Sequence, residues 1–172
     1  ADILYGNLGN DILTGGGSGD VLFGGQGNDT VVGGGGADVI YGNLGNDVVS
    51  AGGDEDIVFG GSGNDAISGG AGADVIYGNV GNDTVIASGG ADSLYGGQGN
   101  DAMSGGEGAD LVYGNLGNDS LFSSQGSDTL YGGGGNDQLF AGSDADLVYG
   151  NLGADTMSGG GGADTVFGGV GN

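Results

Sequence analysis

The 172 residues include no lysine, arginine, histidine, cysteine, proline or tryptophan. Without a basic side chain the protein has nothing to grip phosphate or sulfate with. Nucleic acid, anionic polysaccharide and acidic membrane surfaces are therefore excluded as direct partners unless metal bridges the two. The lack of imidazole, amine and thiol also removes the usual nucleophiles and general bases. A metal site here has only oxygen ligands, from carboxylates, hydroxyls, amides and backbone carbonyls. No disulfide can form, and no stretch approaches the roughly 20 apolar residues of a membrane-spanning helix. What remains is dominated by 50 glycines and 23 carboxylates, for a formal charge of −23. Glycine makes an ordered backbone entropically costly, and like charges keep a chain expanded, so the free chain is expected to be disordered until cations neutralise it.

Order enters through a repeat. An aspartate recurs every nine residues without exception: Asp2, Asp11, Asp20, Asp29, Asp38, Asp47, Asp56, Asp65, Asp74, Asp83, Asp92, Asp101, Asp110, Asp119, Asp128, Asp137, Asp146, Asp155 and Asp164. Two residues after each one the side chain is apolar, from Leu4, Leu13, Leu22 and Val31 through Met157 and Val166. Between them lies a glycine-rich hexad ending in the aspartate, such as GGQGND at 24–29 and GGGGND at 132–137. A disordered low-complexity tract has no reason to keep an apolar residue and an aspartate in phase through nineteen repeats. The three residues after each aspartate predict a very short strand, its middle side chain inward and its neighbours outward. The hexad predicts a turn able to take left-handed angles. Strand, turn, strand, turn closes one coil in eighteen residues, and coils stacked at about 4.8 Å form a rod on the order of 45 Å long. The expected fold is all-β, a parallel β-roll (β-solenoid) with two short-stranded parallel sheets, as a single continuous unit over residues 1–172.

One apolar residue per strand makes a thin core, and stacking puts like charges about 5 Å apart down each edge. A cation between turns removes that repulsion. Oxygen ligands select a hard ion, and pliant glycine turns suit calcium better than the strict octahedron of magnesium.

The consensus G-G-x-G-x-D-x-U-x, with U apolar, resembles the RTX, or hemolysin-type, calcium-binding nonapeptide repeat. The resemblance implies multiple Ca2+ ions between successive turns on both edges, held by aspartate carboxylates and by carbonyls of the first four hexad positions. Carried over, Asp11 and Asp29 flank one ion, with Asp20 and Asp38 on the opposite edge, and all nineteen in-phase aspartates are metal ligands. The turn carbonyls implied include those of Gly6, Asn7, Leu8, Gly9, Gly24, Gly25, Gln26 and Gly27. It also implies a secreted or cell-surface protein that stays unfolded in low cytosolic calcium and folds outside. Among calcium-rich surface-layer, sheath or filament proteins, the chain further resembles cyanobacterial surface proteins of the oscillin type.

A second period is superimposed on the first. Asn7, Asn43, Asn79, Asn115 and Asn151 follow a tyrosine by two residues, so the duplicated unit is 36 residues, or two coils. Turns ending in Asp11, Asp29 and their successors (the Asp11 edge) keep all three glycine positions apart from those asparagines. The opposite Asp20 edge carries Ala51, Ala87, Ser123 and Ala141 at the first glycine and Ser18, Asp54 and Asp144 at the third. Where the required angle is left-handed each replacement costs about 1 kcal/mol. Weaker or missing calcium is therefore expected around 51–56, 123–128 and 141–146, unless Asp54, Glu55 and Asp144 add ligands.

The faces differ too. One sheet presents an outward aromatic column, Tyr5, Phe23, Tyr41, Phe59, Tyr77, Tyr95, Tyr113, Tyr131, Tyr149 and Phe167, beside aliphatics such as Val21, Val39, Ile57 and Leu111. Leu8, Leu44, Val80, Leu116 and Leu152 add an apolar knob every second coil. The other sheet is expected to show mostly Ser and Thr outward, interrupted by Phe122 and Phe140. A contiguous apolar surface marks a contact site, and self-association through the aromatic sheet is the reading favoured over plain covering of the rod.

No enzyme is expected, because a filled rod offers no pocket and its carboxylates are committed to metal. The leading function is an extracellular calcium-binding scaffold. A stabilising module at the C-terminus of a secreted toxin or hydrolase is the alternative. An adhesin or ice-binding array comes third, because the third hexad position varies among Leu, Gln, Ser, Gly and Val instead of holding threonine. Both ends stop in mid-repeat, at Ala1 and Asn172, which is expected of a segment of a longer array.

Overall fold

The computed structural model describes residues 1–171; Asn172 lies outside the described residues. Nineteen strands, β1 (Ile3–Leu8) to β19 (Thr165–Phe167), follow one another along the chain with no helix between them. Odd-numbered strands form a ten-stranded parallel sheet and even-numbered strands a nine-stranded one, each ordered by alternate sequence number. Every pairing joins residues eighteen apart, as in Leu4 with Leu22 and Tyr5 with Phe23. The chain is thus a β-solenoid of eighteen-residue coils, as the nonapeptide period requires.

The strands are longer than expected. Most span six residues, because the ladder runs past x-U-x into the first three turn positions; Asn7 pairs with Gly25 and Leu8 with Gln26. Glycine or asparagine at the second turn position, with φ of 73° at Asn7 and 116° at Gly25, swings the chain round while the ladder bonds persist. β14 (Ser120–Phe122) keeps only three residues. Ser123 and Ser124 replace the glycine pair there, and Ser124 does not adopt the left-handed angle.

Between the sheets runs a single file of apolar side chains, fully buried from Leu22 to Val148, with Leu4 and Met157 partly covered towards the ends. Ala51, Ala87 and Ala141 join this file and have no exposed surface. The aromatic column is continuous. Ten rings stack with centroids 4.6–5.3 Å apart and planes within 10° of parallel. The second sheet is less polar than expected. Val48 and Ile86 are about half exposed beside Ser50 and Ser68, Ile12 is 82% exposed, and Phe122 stacks on Phe140 at 5.4 Å.

Candidate metal centre

Each edge of the rod carries a file of aspartates fixed by the coil period. The backbone N–H of each aspartate donates to Oδ1 of the aspartate one coil later. Asp11 to Asp29 is 2.8 Å, Asp20 to Asp38 is 2.7 Å, and the pattern continues to Asp137 with Asp155 and Asp146 with Asp164. The carbonyl of the same residue accepts the ladder bond from the residue nineteen ahead, as Asp11 does from Thr30 at 2.8 Å. An aspartate is therefore held at N–H, C=O and Oδ1 at once, and only Oδ2 takes no part in these contacts. Aspartates from Asp20 to Asp146 are almost wholly buried, whereas Asp11, Asp155 and Asp164 are partly covered and Asp2 is exposed.

The second carboxylate oxygen has no partner. Oδ2 of sixteen aspartates, from Asp11 to Asp155, is buried without a hydrogen bond. Asp110 is the exception in that span, because Ser123 Oγ donates to its Oδ2 at 3.3 Å. Such an oxygen faces the first turn position of its own hexad and the first-position carbonyl of the next coil. A Cβ placed on Gly24 would lie 2.6 Å from Asp29 Oδ2 and 2.7 Å from the Gly42 carbonyl oxygen. Two acceptors thus converge on a glycine-walled recess with no protein donor between them. A buried carboxylate oxygen left bare costs several kcal/mol, and an oxygen-only recess matches what a hard cation needs.

No three carboxylates converge on one point among the described residues. Any ligand set must therefore combine one or two aspartates with carbonyls, as the repeat implies. Of the carbonyls expected, Gly24 O abuts Gly6 of the preceding coil, while Asn7 O and Gly9 O abut Gly25 and Gly27 of the following one. Third-position carbonyls are engaged in the ladder, Gln26 O accepting from Gly9 N–H and Leu44 O from Gly27 N–H, both at 2.8 Å.

Burial pushes the in-phase carboxyls from Asp38 to Asp146 up from their ordinary range. It outweighs the backbone hydrogen bond that lowers them, and neighbouring carboxylates raise most of them further. Asp65 reaches about 7, and Asp56, Asp92, Asp101, Asp119 and Asp128 about 6.

Several expectations about the turns change. Left-handed angles fall at the second and fourth positions, including Asn43 at 78°, Asp54 at 74° and Asp144 at 82°, but never at the first. Ala51, Ala87, Ser123 and Ala141 therefore carry no such penalty, and neither does Ser18. Ser88, at 91° in a second position, does carry one and went unflagged in the sequence. Asp54 and Asp144 bond turn N–H groups of the preceding coil; their Oδ2 atoms accept from Gly36 N–H at 2.9 Å and Gly126 N–H at 3.3 Å. On the Asp11 edge asparagines make the analogous contacts. Asn28 N–H donates to Asn10 Oδ1 at 2.8 Å, and the ladder continues through Asn136. Asn28, Asn82 and Asn118, which begin N-x-S/T sequons, are rungs of this ladder.

A search of curated proteins finds no match for the chain. The family model of the RTX calcium-binding nonapeptide repeat, four copies long, matches it in overlapping registers: residues 1–31, 23–58, 32–67, 50–85, 59–94, 77–112, 113–148 and 140–172. Those registers leave no coil unmatched, and their shared period is the one that aligns the buried aspartates. The chain belongs to the RTX calcium-binding nonapeptide repeat family.

Proposed function

We propose that this chain is a calcium-folded structural rod that works outside the cell and packs against copies of itself. The observation that carries the reading is the file of buried, unpartnered aspartate oxygens in a chain without one basic side chain. Their burial is unfavourable unless divalent ions bind the folded form, so folding and calcium binding are one equilibrium. RTX repeat proteins are typically secreted, and the calcium-rich exterior is where that equilibrium favours the rod.

A second copy is the partner that best fits the aromatic sheet. The four acidic residues outside the nineteen-aspartate file, Asp54, Glu55, Glu107 and Asp144, all sit on the Asp20 edge, so the aromatic sheet carries no carboxylate and the Asp11 edge none beyond its own file. Leu8, Leu44, Val80, Leu116 and Leu152 stand 48–73% exposed at two-coil intervals. Beside Leu44 lies a hollow lined by Tyr41, Asn43, Phe59 and Gly61. The knobs repeat with the 36-residue period, and a surface of matching pitch is supplied by another copy of the chain.

Circular dichroism during a calcium titration, with electron microscopy of the saturated sample, tests both parts. Growth of β signal with calcium and laterally paired rods are expected. A folded spectrum in excess chelator would overturn the calcium reading. Isolated rods at high concentration, indistinguishable from Leu44→Asp/Leu116→Asp rods, would overturn the self-packing one.

A further inference from the structure

We infer that the two edges carry different numbers of calcium ions, and that one methyl group at the first turn position decides which steps are filled. The inference rests on the calcium reading and sharpens it to individual turns. At an open step the first-position glycine leaves room between Oδ2 of its own aspartate and the first carbonyl of the next coil. On the Asp20 edge, for example, a Cβ on Gly15 would come 2.6 Å from Asp20 Oδ2 and 2.7 Å from Gly33 O. A side chain there occupies the space in which an ion would touch both oxygens.

The Asp11 edge has glycine at the first position of all ten turns, Gly6 to Gly168, so its nine steps are all open. The Asp20 edge has nine turns and eight steps. Four of those steps begin at Ala51, Ala87, Ser123 or Ala141, which carry a Cβ where the open steps have none; the three alanines are fully buried, and Oδ2 of Asp56, Asp92, Asp128 and Asp146 stays without a protein hydrogen bond beside them. Of the other four, the step from Gly105 has its carboxylate already satisfied, because the Ser123 hydroxyl bonds Asp110 Oδ2 at 3.3 Å. Ser123 thus substitutes a proton donor for an ion. Three steps remain fully open on this edge, those beginning at Gly15, Gly33 and Gly69.

The whole chain is therefore expected to hold about twelve ions where an array of uniform steps would hold seventeen. Native mass spectrometry and equilibrium dialysis with calcium alone count them. The variant Ala51→Gly/Ala87→Gly/Ser123→Gly/Ala141→Gly is expected to gain four to five ions, and Gly60→Ala on the Asp11 edge to lose one. Because Gly60→Ala could weaken folding, the gain in the glycine variant is the decisive measurement. A wild-type count near seventeen, or a glycine variant that gains nothing, would overturn the inference while leaving calcium-dependent folding intact. A chain that binds no ion would overturn the parent reading along with it.

Discussion

The two edges of the rod are cut from the same nine-residue unit yet solve the same problem differently. On the Asp11 edge every first turn position is glycine, and an asparagine ladder carries the exposed turn N–H groups from coil to coil. On the Asp20 edge alanine or serine stands at four first positions, small residues mostly replace the asparagines, and Asp54 and Asp144 bond single turns. On the inference above, one edge is uniform in its ion sites. The other exchanges ion sites for apolar packing, since each buried methyl adds to the core. The lesson is that a carboxylate in phase does not by itself fix the space beside it, which a Cβ five positions earlier would crowd.

The comparison breaks first, and most visibly, under chelation. Excess chelator is expected to abolish the β signal of both edges together, because both files lose the ions that offset their charge and share one core; an edge surviving alone, seen as residual hydrogen-exchange protection, would contradict this. Acid is expected to act next. Carboxyls raised by burial stabilise the metal-free rod fully below their unfolded value near 4, and that contribution is lost as pH rises through about 6 to 7. A chelated sample should therefore gain β structure as pH falls from 7 to 4, while a calcium-loaded one loses ions over the same range; dichroism and dialysis follow the two.

Smaller effects separate the edges. Gly78→Ala inserts a methyl against Asp83 Oδ2 and the Gly96 carbonyl, and is expected to destabilise the calcium form by about 1–3 kcal/mol, as overpacking does. Ala87→Gly, on the other edge, should instead increase calcium affinity. Thermal melts at fixed calcium read the first and isothermal titration the second. At Gly97 both the φ of 110° and the Asn79 carbonyl, which a Cβ would overlap, oppose a side chain, so alanine should cost more than the about 1 kcal/mol of the angle alone. Relieving Ser88 with glycine should raise stability least, by about 0.5–1 kcal/mol.

Period and patterning made the fold legible. Aspartate and apolar residue in fixed phase predicted the eighteen-residue coil, the two parallel sheets, the buried file from Leu22 to Val148 and the stacked aromatic column. Strand length was not legible, because the ladder's passage through positions such as Asn7 and Leu8 depends on left-handed backbone that still hydrogen-bonds. The candidate site was readable as far as its carboxylates. The reason for glycine at the first position was misread as a demand for a special angle, when it is a demand for space beside Asp29 Oδ2 and its equivalents. Sequence spacing carries no information that the first glycine of a pair answers to crowding alone and the second to torsion and crowding together. The polarity of the second sheet was overstated because Ile12, Val48 and Ile86 occur irregularly among its serines and threonines.

The bond from each aspartate N–H to the carboxylate of the following coil points the same way at every rung on both edges. Any section through these bonds therefore leaves aspartate N–H donors on one face and their carboxylate acceptors on the other, while the asparagine ladder runs in the opposite sense, Asn28 N–H donating back to Asn10 Oδ1. Two severed pieces can rejoin in one sense only, and a filament extended by the same contacts would inherit a head and a tail, growing as an arrow and not as a symmetric stack.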